Sequence, residues 1–166
     1  AGEKISSARQ SLLKETSKHL LEVSDKLLGV KMETRFVEGW EKSTLIESLR
    51  ADLHKDMAIK RTSSGPQKED FILMAAENKT KGYFSHGQEK LGSIALLLAL
   101  NRAIEKRKNN NSIIIIDEAE SGLDTEANNK LFSLIKSFEN QLLITSLPHH
   151  TAHKKIEGNI LRPTQK

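Results

Sequence analysis

The 166 residues, 37% of them hydrophobic, amount to one ordinary domain or one part of a larger enzyme, and are enough to bury a core. The longest apolar runs, around 94–100 and 113–116, fall far short of the roughly 20 residues that span a bilayer, and no signal segment opens the chain, which argues against a transmembrane or secreted protein. Zero cysteines exclude disulfides and thiolate metal sites and fit a reducing cytoplasm, while a net charge of +4 leans only mildly toward polyanions because the basic residues are interspersed with almost as many acids.

The chain starts with Ala1 and Gly2 rather than Met and enters an amphipathic pattern at once, which predicts a fragment or a processed product. Ile5, Leu12, Leu13, Leu20, Leu21, Val23, Leu27 and Leu28 recur at helical spacing, and Gly29 supplies the stop. A strand follows over 31–37 with Met32, Thr34 and Phe36 on one face, then a turn at Glu38-Gly39-Trp40. A second helix is predicted from Ser43, as N-cap, to Met57. Residues 61–66 form a polar Gly-Pro loop, 70–75 a short strand, 77–82 a hairpin-like turn, and 89–107 a long helix with a nearly continuous apolar face. After a polar turn at 108–111, the four isoleucines 113–116 predict a central strand buried on both faces, as in parallel sheets covered by helices. Thr125 to Phe138 reads as a helix and Gln141 to Thr145 as another apolar strand; the tail after Pro148 is weakly patterned. The fold class is therefore α/β, with a helical segment holding one strand over 1–60 and an α/β lobe over 61–166. Chemistry is expected at the carboxyl edge of its parallel strands.

Asp117 and Glu118 stand at that edge. One carboxylate there can hold Mg²⁺ through water, and the next can orient or deprotonate an attacking water, which is the layout of a Walker B motif. The alternative is an acidic helix start in which Glu118 and Glu120 merely favour the positive end of a helix. Upstream, Ser85-His86-Gly87-Gln88 opens the long helix with a hydroxyl, free backbone N–H groups and a positive dipole end, all suited to a phosphate. Ser85 as a simple N-cap and Gly87 as a turn residue would need no ligand. Ser121-Gly122-Leu123-Asp124 follows the two acids.

In this order and spacing the three stretches resemble the signature motif, Walker B and D-loop of ABC-type ATPases. Glu38-Gly39-Trp40-Glu41-Lys42, the Gly65-Pro66-Gln67-Lys68-Glu69-Asp70 loop, and Gly2-Glu3-Lys4-Ile5 with Arg9 are similar to stretches of the RecF family of SMC-like ABC ATPases, and only the tail matches poorly. The resemblance implies the C-terminal part of an ABC-type ATPase head, made of parallel strands with helices, plus an N-terminal helical segment. It implies ATP and Mg²⁺ as cofactors of the complete protein. Asp117 would support Mg²⁺ and Glu118 would polarise the attacking water. Ser85, Gly87 and Gln88 would reach the γ-phosphate held by the opposite protomer of a homodimer, with Ser121 and Asp124 along the dimer seam. Ser146 stands where ABC ATPases commonly carry a histidine that touches the γ-phosphate. Relatives often have Asp-Asp at 117–118, and a histidine where this chain has Gln67.

The resemblance further implies a cytoplasmic protein of DNA repair, recombination, replication and the SOS response. Its ATP-bound dimer would clamp double-stranded DNA near gaps and help recombination mediator proteins load a recombinase, with no membrane partner. The family's phosphate-cradling P-loop lies in its N-terminal half, and no Gly-x-x-x-x-Gly-Lys-Ser/Thr occurs here. This stretch by itself is expected neither to bind ATP tightly nor to hydrolyse it, so a non-catalytic DNA- or protein-interaction lobe is the alternative function. His149, His150 and His153, with Glu157 the only nearby carboxylate, have no recognised metal-ligand spacing. Lys60, Arg61 and Lys68 are read as solvated residues of a turn, with DNA phosphates as the alternative, and Arg102 with Lys106, Arg107 and Lys108 as cations favoured at a helix C-terminus.

Overall fold

The computed structural model describes residues 1–118 and 120–145. Helix α1 (Gly2–Leu28) ends where Gly29 adopts a left-handed φ of 67° and returns its N–H to the Asp25 carbonyl. Strand β1 (Met32–Val37) follows, with Met32, Thr34 and Phe36 on its inner side as the alternation predicts. It pairs antiparallel with β2 (Asp70–Ala75), Met32 opposite Ala75, and the short β3 (Asn78–Lys79) extends the sheet beyond β2.

The other edge of β1 is closed by hydroxyls of α1. Ser24 accepts the Met32 N–H at 2.9 Å, and Ser17 accepts the Thr34 N–H at 2.9 Å. Backbone donors that would otherwise invite another strand are thus satisfied by the helix. The sequence leaves open what α1 packs on, and the structure answers it. Leu20, Val23 and Leu27 of α1 share one core with Ala95, Leu98 and Ala99 of α3 (His86–Lys108) and with Leu131, Phe132 and Ile135 of α4 (Thr125–Lys136). The fully buried Ala95, Ala99 and Ala103 present little bulk on the buried face of α3. Each large side chain in this core contributes about 1.5–3 kcal/mol by leaving water.

Helix α2 (Leu45–Ile59) corrects one expectation. Its N-cap is Thr44 rather than Ser43, because Glu47 three residues on completes a reciprocal capping box with Thr44, whereas the residue three beyond Ser43 is Ile46. Only Ser48 of this helix is buried, and Ile46, Leu53 and Met57 are exposed. The Gly39 turn meets the Gly65 loop, where the Gly65 N–H donates to the Gly39 carbonyl at 2.8 Å. Arg9 joins that node, donating to the Pro66 carbonyl at 2.6 Å and to Glu69 at 2.7 Å.

Strands β4 (Ile113–Ile116) and β5 (Gln141–Ile144) pair in parallel, Ile113 beside Gln141 and Ile116 beside Ile144. The expected central strand buried on both faces is not observed among the described residues. Ile114 and Ile116 face the core, but Ile113 is 59% and Ile115 70% exposed. Among the described residues helices cover this two-stranded sheet on one side only, so alternate isoleucines of a uniform run end in different surroundings. No helix among the described residues is long and apolar enough to cross a membrane.

Candidate functional site

The long helix α3 begins at His86, three residues before the predicted start, with Ser85 as its N-cap. The Ser85 hydroxyl accepts the Gln88 N–H at 3.4 Å, and the Gln88 side chain accepts the Ser85 N–H at 2.9 Å. Ser85 and Gln88 thus stabilise the helix start mutually, and both stay exposed. The N–H groups of His86 and Gly87 lie in the first turn, where no intrahelical acceptor exists, at the positive end of the helix dipole. Gly87 lies beside the loop that follows β4, since a β-carbon there would stand 3.5 Å from the Gly122 carbonyl.

Asp117 and Glu118 leave the carboxyl end of β4 exposed to solvent. Asp117 accepts the hydroxyl of Thr145, the first residue past β5, and the same hydroxyl accepts the Glu118 N–H at 2.9 Å. Glu118 has a left-handed φ of 45°, which a non-glycine residue adopts only when its surroundings impose it. Those surroundings are present on both sides. The Glu118 carbonyl accepts Lys90 Nζ at 3.1 Å and the Ser121 N–H at 3.1 Å, and Lys90 also donates to the Ser121 carbonyl at 2.5 Å. One ammonium from α3 therefore holds the Glu118 and Ser121 carbonyls together.

Asp124 caps α4, accepting the Ala127 N–H at 2.8 Å, and Ser121 is exposed in the turn before it. Because α4 starts only at Thr125, Glu118 and Glu120 are not in its first turn, which removes the acidic-helix-start alternative. Glu120 instead turns inward, 3% exposed, with Oε1 lacking a partner among the described residues. Ser146, His149, His150, His153 and Glu157 lie outside the described residues.

No cluster of three or more metal-ligating side chains occurs among the described residues. Asp117 and Glu118 do not make a dedicated cation cage, but they fit Mg²⁺, which characteristically takes one or two carboxylates together with waters and nucleotide phosphates. One Asp117 oxygen is occupied by Thr145, which leaves the other for such a role.

At the far end of α3, Arg102, Lys106 and Arg107 of the basic cluster are engaged within the protein. Arg102 lies 4.2 Å over the Phe138 ring, Lys106 pairs with Glu15 at 3.0 Å, and Arg107 donates to Ser11 at 2.9 Å. The hydrogen bonds from Lys106 and then Lys18 pull the Glu15 carboxyl down to about 2. Sequence reasoning singled out Ser85, Gly87, Gln88, Asp117, Glu118, Ser121 and Asp124, and did not single out Lys90 and Thr145, which bond to the loop carrying the acids. The one available signal for Thr145 is the parallel register, which carries it beside Asp117.

No family profile matches the chain. Solved structures share its fold, and two of them illustrate the likeness. The recombination mediator protein RecF-ATPrS in the RecFOR pathway matches with a TM-score of 0.73 at 19% identity, over 89% of this chain and 42% of that one. A structure concerned with ATP-driven dimerization and DNA-stimulated activation of SMC ATPases matches with a TM-score of 0.54 at 17% identity, over 94% of this chain and 83% of that one. The fold is that of the C-terminal part of an ABC-type ATPase head, with the parallel β4–β5 pair at the strand edge. In sequence the chain is 32% identical over 117 residues to the DNA replication and repair protein RecF of Pseudoalteromonas translucida (strain TAC 125), covering 70% of this chain and 32% of that protein. The chain belongs to the RecF family and corresponds to its C-terminal part, spanning about a third of the length of the curated relatives it matches.

Proposed function

We propose that the chain is the C-terminal lobe of a DNA-repair and recombination ATPase whose ATP-dependent homodimer binds double-stranded DNA at gaps and assists recombination mediator proteins in loading a recombinase. One observation carries the ATPase part of this reading. The loop bearing Asp117, Glu118 and Asp124 is tied by Lys90 to the helix that Ser85 caps, and Gly87 abuts Gly122, so that the acids and the serine belong to one exposed surface.

The chemistry follows from charge. Mg²⁺ bound with ATP would supply positive charge to the phosphates. Asp117 would hold the waters of that cation, and Glu118 would orient the attacking water and take its proton. The Ser85 hydroxyl and the N–H groups of His86 and Gly87 face the nucleotide of the opposite protomer, where the dipole of α3 favours the γ-phosphate charge. Ser121 and Asp124 line the seam between protomers. Neither protomer completes the charge balance alone, so ATP bridges the two and hydrolysis releases them. The P-loop comes from a lobe outside these 166 residues, which in this reading covers the exposed face formed by Ile113, Ile115 and Leu143. The roles in DNA repair and mediator assistance are supported by what the relatives are named, a DNA replication and repair protein and a recombination mediator in the RecFOR pathway.

A second reading, a non-catalytic DNA- or protein-interaction lobe, is favoured by the absence of a P-loop sequence in this stretch. The two separate in a protein that joins this lobe to its P-loop lobe. Sedimentation should give an ATP-driven dimer for the parent and a monomer for Ser85→Arg. Dimerisation that survives the substitution unchanged would overturn the trans contact, and a parent that neither dimerises with nor hydrolyses ATP would favour the interaction lobe.

A further inference from the structure

We propose that Thr145, which lies outside all three sequence motifs, is the positioning residue of the carboxylate pair: its single hydroxyl orients Asp117 and Glu118 together and so sets the Mg²⁺ requirement of hydrolysis, an inference that rests on the ATPase reading above.

The register places it there. Ile116 lies beside Ile144, and the Thr145 N–H donates to the Ile116 carbonyl at 3.0 Å, carrying the parallel ladder one step past the last strand residues. That step brings the Thr145 side chain between the two acids. A hydroxyl has one proton and two lone pairs. The Glu118 N–H can only donate, so a lone pair of the hydroxyl receives it at 2.9 Å and the hydroxyl proton is left for Asp117 Oδ1. The proton and one of the two lone pairs of one small side chain are therefore spent on adjacent residues, in directions that its own backbone in the ladder fixes.

The consequence differs for the two acids. For Asp117, one oxygen is committed, so the other is presented toward a cation-bound water in one orientation. For Glu118, the hydroxyl anchors the peptide before it while Lys90 and the Ser121 N–H anchor the peptide after it. The left-handed backbone of Glu118 is thereby determined from both sides, and its Cα–Cβ bond leaves the loop in a single direction. Groups that orient a metal-binding carboxylate from behind typically change metal affinity or activity by about 10–100-fold when removed. Valine matches threonine in shape and lacks the hydroxyl, whereas serine keeps the hydroxyl and loses only a methyl.

The test uses the full-length protein in three forms: parent, Thr145→Val and Thr145→Ser. Thr145→Val should raise the Mg²⁺ concentration for half-maximal ATP hydrolysis about tenfold, with Thr145→Ser within about twofold of the parent. Without nucleotide, hydrogen exchange at the Glu118 amide should quicken at least about tenfold in Thr145→Val and stay near parental in Thr145→Ser, with other β4 amides unchanged. A Thr145→Val protein that keeps the parental Mg²⁺ dependence overturns the inference while leaving the ATPase reading intact. Uniformly faster exchange along β4 and β5 that tracks a lower melting temperature, with Thr145→Ser failing to rescue, also overturns it, since the residue then only holds the strands. A parent that hydrolyses no ATP overturns the reading and the inference together.

Discussion

The β4–β5 pair has a glutamate or aspartate at each end, and the two ends treat their acids in opposite ways. At the amino end Glu105, reaching over from α3, accepts the Ser112 N–H at 2.7 Å, the Ser112 hydroxyl at 2.7 Å and the Asn140 amide at 2.5 Å. Burial by itself would raise that carboxyl, but the Ser112 and Asn140 donors outweigh it and hold the group below the ordinary glutamate range. At the carboxyl end Asp117 receives the Thr145 hydroxyl, and no side-chain donor among the described residues reaches the Glu118 carboxylate. The number of protein donors separates an anchor from a reagent. A carboxylate saturated by its own chain fixes the ends of two strands, and one left open can serve a cation or a water.

The largest expected effect tests the open end. In the complete ATPase, Glu118→Gln should retain ATP binding, slow hydrolysis by about 10²–10⁴-fold and lengthen the life of the dimer, as followed by phosphate release and sedimentation. Hydrolysis at the parental rate would remove Glu118 from the mechanism. The saturated end should respond in stability instead. Glu105→Ala strands the Ser112 and Asn140 donors and should cost about 2–3 kcal/mol in urea unfolding, while the rate per folded molecule stays near parental.

Acid sharpens the same contrast. Because the Glu105 carboxyl is held low in the folded protein, the unfolded chain binds more protons once the pH drops below the ordinary glutamate value. Its contribution is complete above that value and is lost as the pH falls through the folded one. Glu15, held at about 2 by Lys106 and Lys18, extends the loss to lower pH. Glu105→Gln should flatten the upper part of this acid limb, and an unchanged limb would contradict the assignment. The smallest effect concerns backbone strain. Glu118→Gly frees the left-handed position and should raise stability by about 1 kcal/mol in thermal unfolding even as it abolishes hydrolysis.

Local signals in the chain proved reliable where a few neighbours decide the outcome. Gly29 ends α1 as a left-handed C-cap, the strand at 70–75 matches β2, and Ser85 opens α3. Where two adjacent residues compete, more detail was needed: Ser43 and Thr44 are equivalent hydroxyls until Glu47 singles out Thr44. The isoleucine run was harder still. Four identical side chains carry no alternation, so nothing in them distinguishes the two that meet the core from the two that face outward.

By itself the chain determined the order of its elements, their caps and the point where Asp117 and Glu118 emerge, since periodicity and capping act over a turn or two. Only the tertiary structure decided that Glu105 is saturated, that α1 closes the edge of β1, and that Lys90 and Thr145 hold the acids. Thr145 lies 28 residues from Asp117, and Lys90 lies 28 from Glu118. Hydrogen bonds over such separations arise from the way α3 and β5 pack on β4, and short-range chemistry carries no trace of that packing.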